Sequence, residues 1–289
     1  MDFLVDAIGD WLKEILVSGI IGNLSGLFDG VNEKVGEIST QVGMTPQAWN
    51  NGIFDMVHRL SENVVLPIAG ILLAFVMTLE LIQLLMDKNN FHDIEMAVFF
   101  RWVFKTACAI LIVSNTWNIV MGVFDLAQGV VNQASGIIVG DTSIDLNSII
   151  PDMEDQLMAM ELGPLLGLWF QSLFVGITMW ALTICIFIIT YGRMLEIYLV
   201  TSMAPVPMAA MMGREFGGMG QNYLRSLFAL GFQAFLIMVC VAIYAVLVRN
   251  IAVSGDISTA IWTCMGYTVL LCFTLFKTGS LAKSIVQAH

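Results

Sequence analysis

Six apolar runs order this chain: Val64–Met86, Ala97–Val120, Leu165–Tyr191, Met194–Met212, Leu227–Val248 and Ile257–Phe276. Each is close to the ~20 apolar residues that carry an α-helix across a bilayer. The fourth run differs, because it contains Ala204-Pro205-Val206-Pro207. Two prolines two residues apart remove donors and clash with the preceding turn, and Val206, lying before Pro207, is pushed towards extended backbone. Arg193 and Arg214 bracket the run, so a full crossing would strand one of them outside. The pattern predicts a broken, re-entrant or interfacial hairpin that begins and ends on the cytoplasmic side. Non-helical backbone at membrane depth needs protein or a water-filled cavity around it. The break is therefore expected at a subunit contact or a lumen wall, with Arg193, Glu196, Ala204, Pro205, Pro207, Gly213, Gly217 and Gly218 as its residues. The fold class that follows is all-α: about five transmembrane helices, a proline-broken hairpin and an N-terminal amphipathic helix.

Before the first run the period changes. Phe3, Leu4, Ala7, Ile8, Trp11, Leu12, Ile15, Leu16 and Ile20 recur at helical spacing, with Asp2, Asp6, Asp10, Lys13 and Glu14 opposite them. This is an amphipathic helix rather than a crossing. Its polar face lacks the basic residues of helices that bind anionic lipid, which favours packing on the outer membrane interface or on a neighbouring subunit. Gly22, Gly26 and Gly30 follow at a spacing of four. They form either a smooth stripe for close helix approach or a glycine-punctuated turn region. Thr45-Pro46 reads as an N-cap followed by proline at the first helical position, opening a helix to about Ser61. The chain start has no basic segment or cleavage site and does not read as a signal peptide.

Charge supplies the orientation. No Lys or Arg occurs between Lys105 and Arg193, a stretch that includes Asp125, Asp141, Asp145, Asp152, Glu154, Asp155 and Glu161. Cytoplasmic loops carry the Lys/Arg excess. The segment 124–162 is thus expected to be an acidic extracytoplasmic loop, with a turn at Asp141-Thr142-Ser143 and a short helix over Pro151–Met160. Lys277 and Lys283 after the last run place the C-terminus inside. Five crossings then put the N-terminus outside; six crossings with the N-terminus inside is the alternative. The expected organisation is an interfacial helical region at 1–63, two transmembrane helices at 64–123, the acidic loop at 124–162, and the remaining membrane helices with the re-entrant segment at 163–289.

Composition agrees. Of 289 residues, 58% are hydrophobic and 12% charged, about half the charged share of a soluble domain, and mean hydropathy is +0.83. Most of the net charge of −11 sits in the N-terminal region and the outer loop and argues against nucleic-acid binding on those faces, which would need clustered Lys and Arg. Cys108, Cys185, Cys240, Cys264 and Cys272 all fall within apolar runs and read as small buried side chains. His58, His92 and His289 are scattered and build no metal-ligand spacing. There is no phosphate-binding loop, HExxH or GxSxG motif, so neither an enzyme nor a cofactor is expected. Asp141, Asp145, Asp152, Glu154 and Asp155 fit a docking face for a partner better than a calcium loop. Glu80 is an ionisable residue inside an apolar run, a functional candidate that could also reach the interface. Arg193 and Glu196, three apart, could form an ion pair or part of a gate. Trp49, Trp117, Trp169 and Trp262 lie near expected helix ends, as an aromatic belt would.

The stretch Tyr191-Gly192-Arg193-Met194-Leu195-Glu196-Ile197-Tyr198-Leu199, then Ala204-Pro205-Val206-Pro207, then Gly213-Arg214-Glu215-Phe216-Gly217-Gly218, resembles the TrbL-like family of polytopic inner-membrane components of type IV secretion and conjugation systems. The resemblance spans roughly Trp49 to Lys283, in the compact form carried by mobile elements of Gram-positive bacteria. It implies a homo-oligomeric platform or channel for DNA transfer in the cytoplasmic membrane. It also implies partners: conjugation ATPases, a coupling protein, extracytoplasmic assembly factors, and translocated single-stranded DNA with its relaxase. Other readings are a scaffold that never touches DNA, a solute transporter subunit, and a toxin-like or holin-like pore.

Overall fold

The computed structural model describes residues 2–86, 96–142, 146–252 and 257–288, and among these every regular element is helical. In chain order they are α1 (Asp2–Val42), α2 (Pro46–Trp49), α3 (Asn51–Leu60), a π-helical turn (Ser61–Val65), α4 (Leu66–Met86), α5 (Met96–Ser114), α6 (Thr116–Thr142), α7 (Leu146–Met158), α8 (Leu162–Ser202), α9 (Pro205–Ala210), α10 (Gly217–Ala252) and α11 (Ile257–Ile285). Six stretches are long and apolar enough to cross a membrane: Ile8–Val42, Asn51–Met86, Met96–Ser114, Leu162–Ser202, Gly217–Ile251 and Ile257–Ile285. The protein is an all-α, multi-pass membrane protein. Five of these match the expected crossings; the first part of the expected re-entrant run, 194–202, is instead the unbroken end of the stretch Leu162–Ser202, and only its remainder lies outside the candidate spans. The sixth, within α1, was expected to be amphipathic and interfacial.

The contacts divide into two units. The first comprises residues 1–43, 131–190 and 236–278. Here α1 is one unbroken helix through Gly22, Gly26 and Gly30, so the turn alternative for these glycines is set aside. Its buried stripe runs Leu16, Ile20, Leu24, Leu27, Val31, Val35, Ile38 and Val42, in steps of three and four that keep one face inward. A run of pairs puts α1 lengthwise and parallel to the start of α8. Trp169 covers Gly19, Asn23 donates to Ser172 Oγ at 2.8 Å, and Met179 reaches Gly30. Further along, the hydroxyls of Ser39 and Ser135 meet, and Gly43 lies against Asn132. The acidic connection is mostly helix: α6 and α7 occupy 116–142 and 146–158, and the expected helix over Pro151–Met160 begins earlier, at Leu146, with Pro151 inside it.

The second unit comprises residues 44–130, 191–235 and 279–289. The expected run Ala97–Val120 is two helices here, α5 ending at Ser114 and α6 starting at Thr116. Asn115 is the junction; its side-chain amide returns to the Leu111 carbonyl at 2.9 Å, a local bond that competes with helix continuation. The helix expected from Pro46 to about Ser61 is likewise divided. Thr45 caps α2 by accepting from the Ala48 amide at 3.1 Å. Asn50 then adopts φ −157°, ψ 102° and caps α3 by accepting from the Ile53 amide at 3.0 Å. The Tyr198 hydroxyl donates to the Pro46 carbonyl at 2.6 Å, a carbonyl that also accepts from the Asn50 amide at 3.5 Å. At 61–65 the Leu66 amide bonds back to the Ser61 carbonyl. The widened turn immediately precedes Pro67, whose ring would clash with a regular preceding turn.

Of the four tryptophans expected in an aromatic belt, Trp117 is buried, stacked on His58 with ring centroids 4.4 Å apart. Trp49 packs edge-on against Tyr191 at 5.3 Å. Trp169 covers a glycine, and Trp262 is 54% exposed as a belt residue would be.

Candidate functional site

The break between α8 and α10 is where the second unit concentrates its polar contacts. α8 stops at Ser202 and α9 begins at Pro205, with Pro205 at the first turn of the new helix. Val206 was expected to be extended; it is helical. The reason is the position of both prolines in the first turn of α9. The first amides of a helix have no intrahelical carbonyl to reach, so the missing N–H groups cost nothing there. The pair starts a helix rather than disrupting one.

α9 is held by small residues. Pro205, Met208, Ala209 and Ala210 are buried, and Ala209 joins a core with Ala69, Leu73 and Met77 of α4 and Ala109 and Val113 of α5. On the other side Ala204 packs with Met194, Ile197, Val120, Phe124, Leu227 and Leu230. Alanines at such contacts let helix backbones approach closely, the way packing is gained where the hydrophobic effect between helices is absent.

The connection from Met211 to Phe216 is fixed by charge. Glu80 of α4 is 4% exposed. One carboxylate oxygen accepts from Lys105 Nζ at 2.7 Å and lies 3.3 Å from Arg214 Nε; the other accepts from the Arg214 backbone amide at 3.3 Å. One carboxylate thus ties α4, α5 and the connection together. Gln83, one turn on, donates to Glu215 Oε1 at 2.8 Å. These residues line a small pocket with Val76, Leu79, Gly213 and Phe216. A carboxylate taken out of water is tolerable with two cations and a backbone donor; unpaired it would be costly.

Two glycines are sterically required. A Cβ on Gly213 would lie 2.6 Å from Val76 Cγ1. On Gly220 it would lie 2.5 Å from the Pro207 carbonyl oxygen and collide with Met211. Gly217 meets only the Met211 carbonyl at 3.6 Å, and Gly218 has open space. Arg193 is buried and its Nε donates to the Leu230 carbonyl at 3.2 Å. Glu196 accepts from Lys283 at 3.0 Å.

The structure therefore brings Arg193, Glu196, Ala204, Pro205, Pro207, Gly213, Gly217 and Gly218 into one unit. It adds Lys105, Gly220 and Tyr198. In sequence Lys105 stood as the boundary of the stretch without Lys or Arg. The one available signal was that Glu80 and Lys105 sit in consecutive apolar runs, which form a hairpin. Gly22 and Gly26 have nothing within 4 Å of a built Cβ, while Gly30 abuts Met179. Asp152, Glu154 and Asp155 are exposed on α7. Asp145 and the side chain of Asp141 lie outside the described residues.

The arrangement is an anchorage: a helix break seated among alanines, closed by glycines and held by one carboxylate. Among the described residues no group of three His, Cys, Asp or Glu could hold a metal ion. The family model described as TrbL/VirB6 plasmid conjugal transfer like protein matches residues 31–205, more than half of the chain, ending at the first residue of α9. No curated protein matches, and no solved structure matches.

Proposed function

The chain belongs to the TrbL/VirB6 plasmid conjugal transfer like family, and from that premise we propose that it is the membrane platform or channel subunit of a conjugative type IV secretion system. Membership makes it a component of a multi-protein conjugation machinery, and its six candidate spans make it multi-pass. In the proposed role, copies of the chain assemble in the cytoplasmic membrane and support passage of a relaxase-bound DNA strand. The conjugation ATPases and the coupling protein engage it from inside, and extracytoplasmic factors from outside.

The observation that carries this reading is the locked break, together with the family match that runs up to it. A static anchor between α8 and α10 suits a subunit that must hold its shape while partners work on it. Charge supports the orientation. The acidic segment 124–162, which lies within the stretch free of Lys and Arg, is then outside, and Lys277 and Lys283 are inside. The N-terminus is placed outside with α1 not counted as a crossing. Its charge-free part, Ile15–Phe28, is about 21 Å long at 1.5 Å per residue, short of a ~30 Å hydrocarbon core. The exposed acids of α7 are offered to an extracytoplasmic partner, since phosphates on a strand's path would be repelled there. The same acidity favours a second reading, a platform that supports transfer without contacting DNA.

Affinity purification of the tagged full chain from donor membranes tests the proposal. It should bring down a conjugation ATPase or the coupling protein. Recovery of a solute-binding protein or a transport ATPase in their place would reject it.

A further inference from the structure

We propose that the groove between α10 and α11 holds one acyl chain of an anionic phospholipid, whose phosphate is taken by Lys277. The proposal rests on the multi-pass membrane reading and not on what is transferred.

Within the first unit these two helices run side by side, with the Tyr244 and Thr268 hydroxyls 2.8 Å apart. Beside that contact they leave an open groove of about 360 Å³. Its walls are Cys240, Ile243 and Leu247 of α10 and Tyr267, Leu270 and Thr274 of α11. Tyr244 and Leu271, both buried, line its inner side. Two of the lining hydroxyls are committed elsewhere: Tyr244 to Thr268, and Thr274 to the Leu270 carbonyl at 2.8 Å. The groove therefore presents mainly hydrocarbon, and it lies inside the apolar runs Leu227–Val248 and Ile257–Phe276.

The groove face of α11 leads to a cation. Tyr267, Leu270, Thr274 and Lys277 follow one another in steps of three and four, which keep one face of a helix. Lys277 is exposed and is the first charged residue of α11, after an uncharged stretch from 257 to 276. A charge is expensive in hydrocarbon, so the hydrocarbon ends beside it. From Tyr267 to Lys277 is about 15 Å at 1.5 Å per residue, half of a ~30 Å hydrocarbon core. Cation and groove together thus span the depth of one leaflet. The lysine stem carries the ammonium outward from there. α11 contains no Asp or Glu, so its charge favours an anionic headgroup, the ligand of basic sites between membrane helices.

The dimensions select a lipid chain over a protein partner. The inner side of the groove is the α10–α11 contact itself, so the groove is about one side chain deep. A partner helix, ~10–12 Å across, can lie over it but cannot enter it. A single acyl chain can.

Native mass spectrometry tests the proposal. The purified full chain, delipidated in detergent, is titrated with phosphatidylglycerol or with phosphatidylcholine carrying the same acyl chains. One phosphatidylglycerol should bind, with severalfold higher occupancy than phosphatidylcholine, and glycerol 3-phosphate should not compete. Leu270→Trp, which adds bulk at the groove wall, should reduce occupancy by both lipids severalfold. Val269→Trp, an exposed neighbour outside the lining, should leave both unchanged. Lys277→Gln should abolish the preference for phosphatidylglycerol and keep the phosphatidylcholine level; this exposed substitution decides the headgroup claim even if Leu270→Trp fails to fold. For that case Ile243→Phe narrows the groove from the α10 wall and should lower occupancy likewise. No bound lipid, occupancy unchanged by the groove variants, a preference that survives Lys277→Gln, displacement by glycerol 3-phosphate, or a doubled chain mass that Leu270→Trp converts to the single chain would each overturn the proposal.

Discussion

Truncating Glu80 should release the connection between α9 and α10. The carboxylate makes two contacts to cations at 2.7 and 3.3 Å and one to the Arg214 amide at 3.3 Å. A hydrogen bond to a charged group contributes about 1.5–3 kcal/mol. The contributions overlap, and the partners are not deeply buried: the Lys105 and Arg214 side chains are 41% and 57% exposed and regain water when freed. The expected cost of Glu80→Ala is therefore about 2–4 kcal/mol, below the ~3–5 of breaking a fully buried pair. Glu80→Gln keeps acceptor capacity towards Lys105 and the Arg214 amide and should cost about half as much. Pairing Glu80→Leu with Lys105→Met should recover part of the loss, because removing both partners leaves no unpaired group at that contact. The assay is the thermal midpoint of the purified protein, with limited proteolysis at Arg214 as a local probe. Glu80→Ala should lower the midpoint and open the 211–216 connection to trypsin. An unchanged midpoint and an uncut connection would refute the clamp, and a double variant no better than Glu80→Leu alone would refute its pairwise origin.

Gly220→Ala should be among the most damaging single-methyl additions in the chain, about 1–3 kcal/mol or more, because its Cβ meets backbone at Pro207 and Met211; Gly218→Ala, with open space, should be near neutral in the same melting assay. Replacing Pro205 and Pro207 by Ala should cost no more than about 1 kcal/mol, since both lie in the first turn of α9, whereas Ala209→Leu should cost more by overpacking the core against Ala69 and Leu73. Tyr198→Phe should lose about 1 kcal/mol, the worth of its bond to the Pro46 carbonyl. For topology, single cysteines at Ser143 and Ser284 are probed with an impermeant maleimide in intact cells; Ser143 should label and Ser284 should not, and the reverse would contradict the orientation.

The spans were legible because twenty-residue apolar runs have few other uses, and five of them lie where hydropathy alone puts them. The break at Ala204-Pro205 was legible for the same reason, as prolines mark helix boundaries at short range. Its form was not. Whether Pro205 and Pro207 disrupt a helix or start one depends on where α8 stops, and that is decided by how Ala204 and Ala209 pack against α4, α6 and α10. Asn115 and Asn50 divide helices through side-chain bonds that weigh little against hydropathy in a sequence window. The Glu80 clamp joins residues 25 and 134 positions apart, and only the folded hairpin shows that Lys105 and Arg214 converge on it. The length of α6 was hidden because a moderately polar helix reads like a loop when charge is the guide.

The most direct measurement is transfer frequency from donor cells lacking only this chain, complemented in trans with the wild-type chain or with Glu80→Ala at matched membrane abundance. The account predicts that deletion abolishes transfer of the mobile element, that the wild-type chain restores it, and that Glu80→Ala leaves it well below wild type. Wild-type transfer from the deleted strain would contradict the assignment to the conjugation machinery, and full restoration by Glu80→Ala would contradict the locked break as its working part.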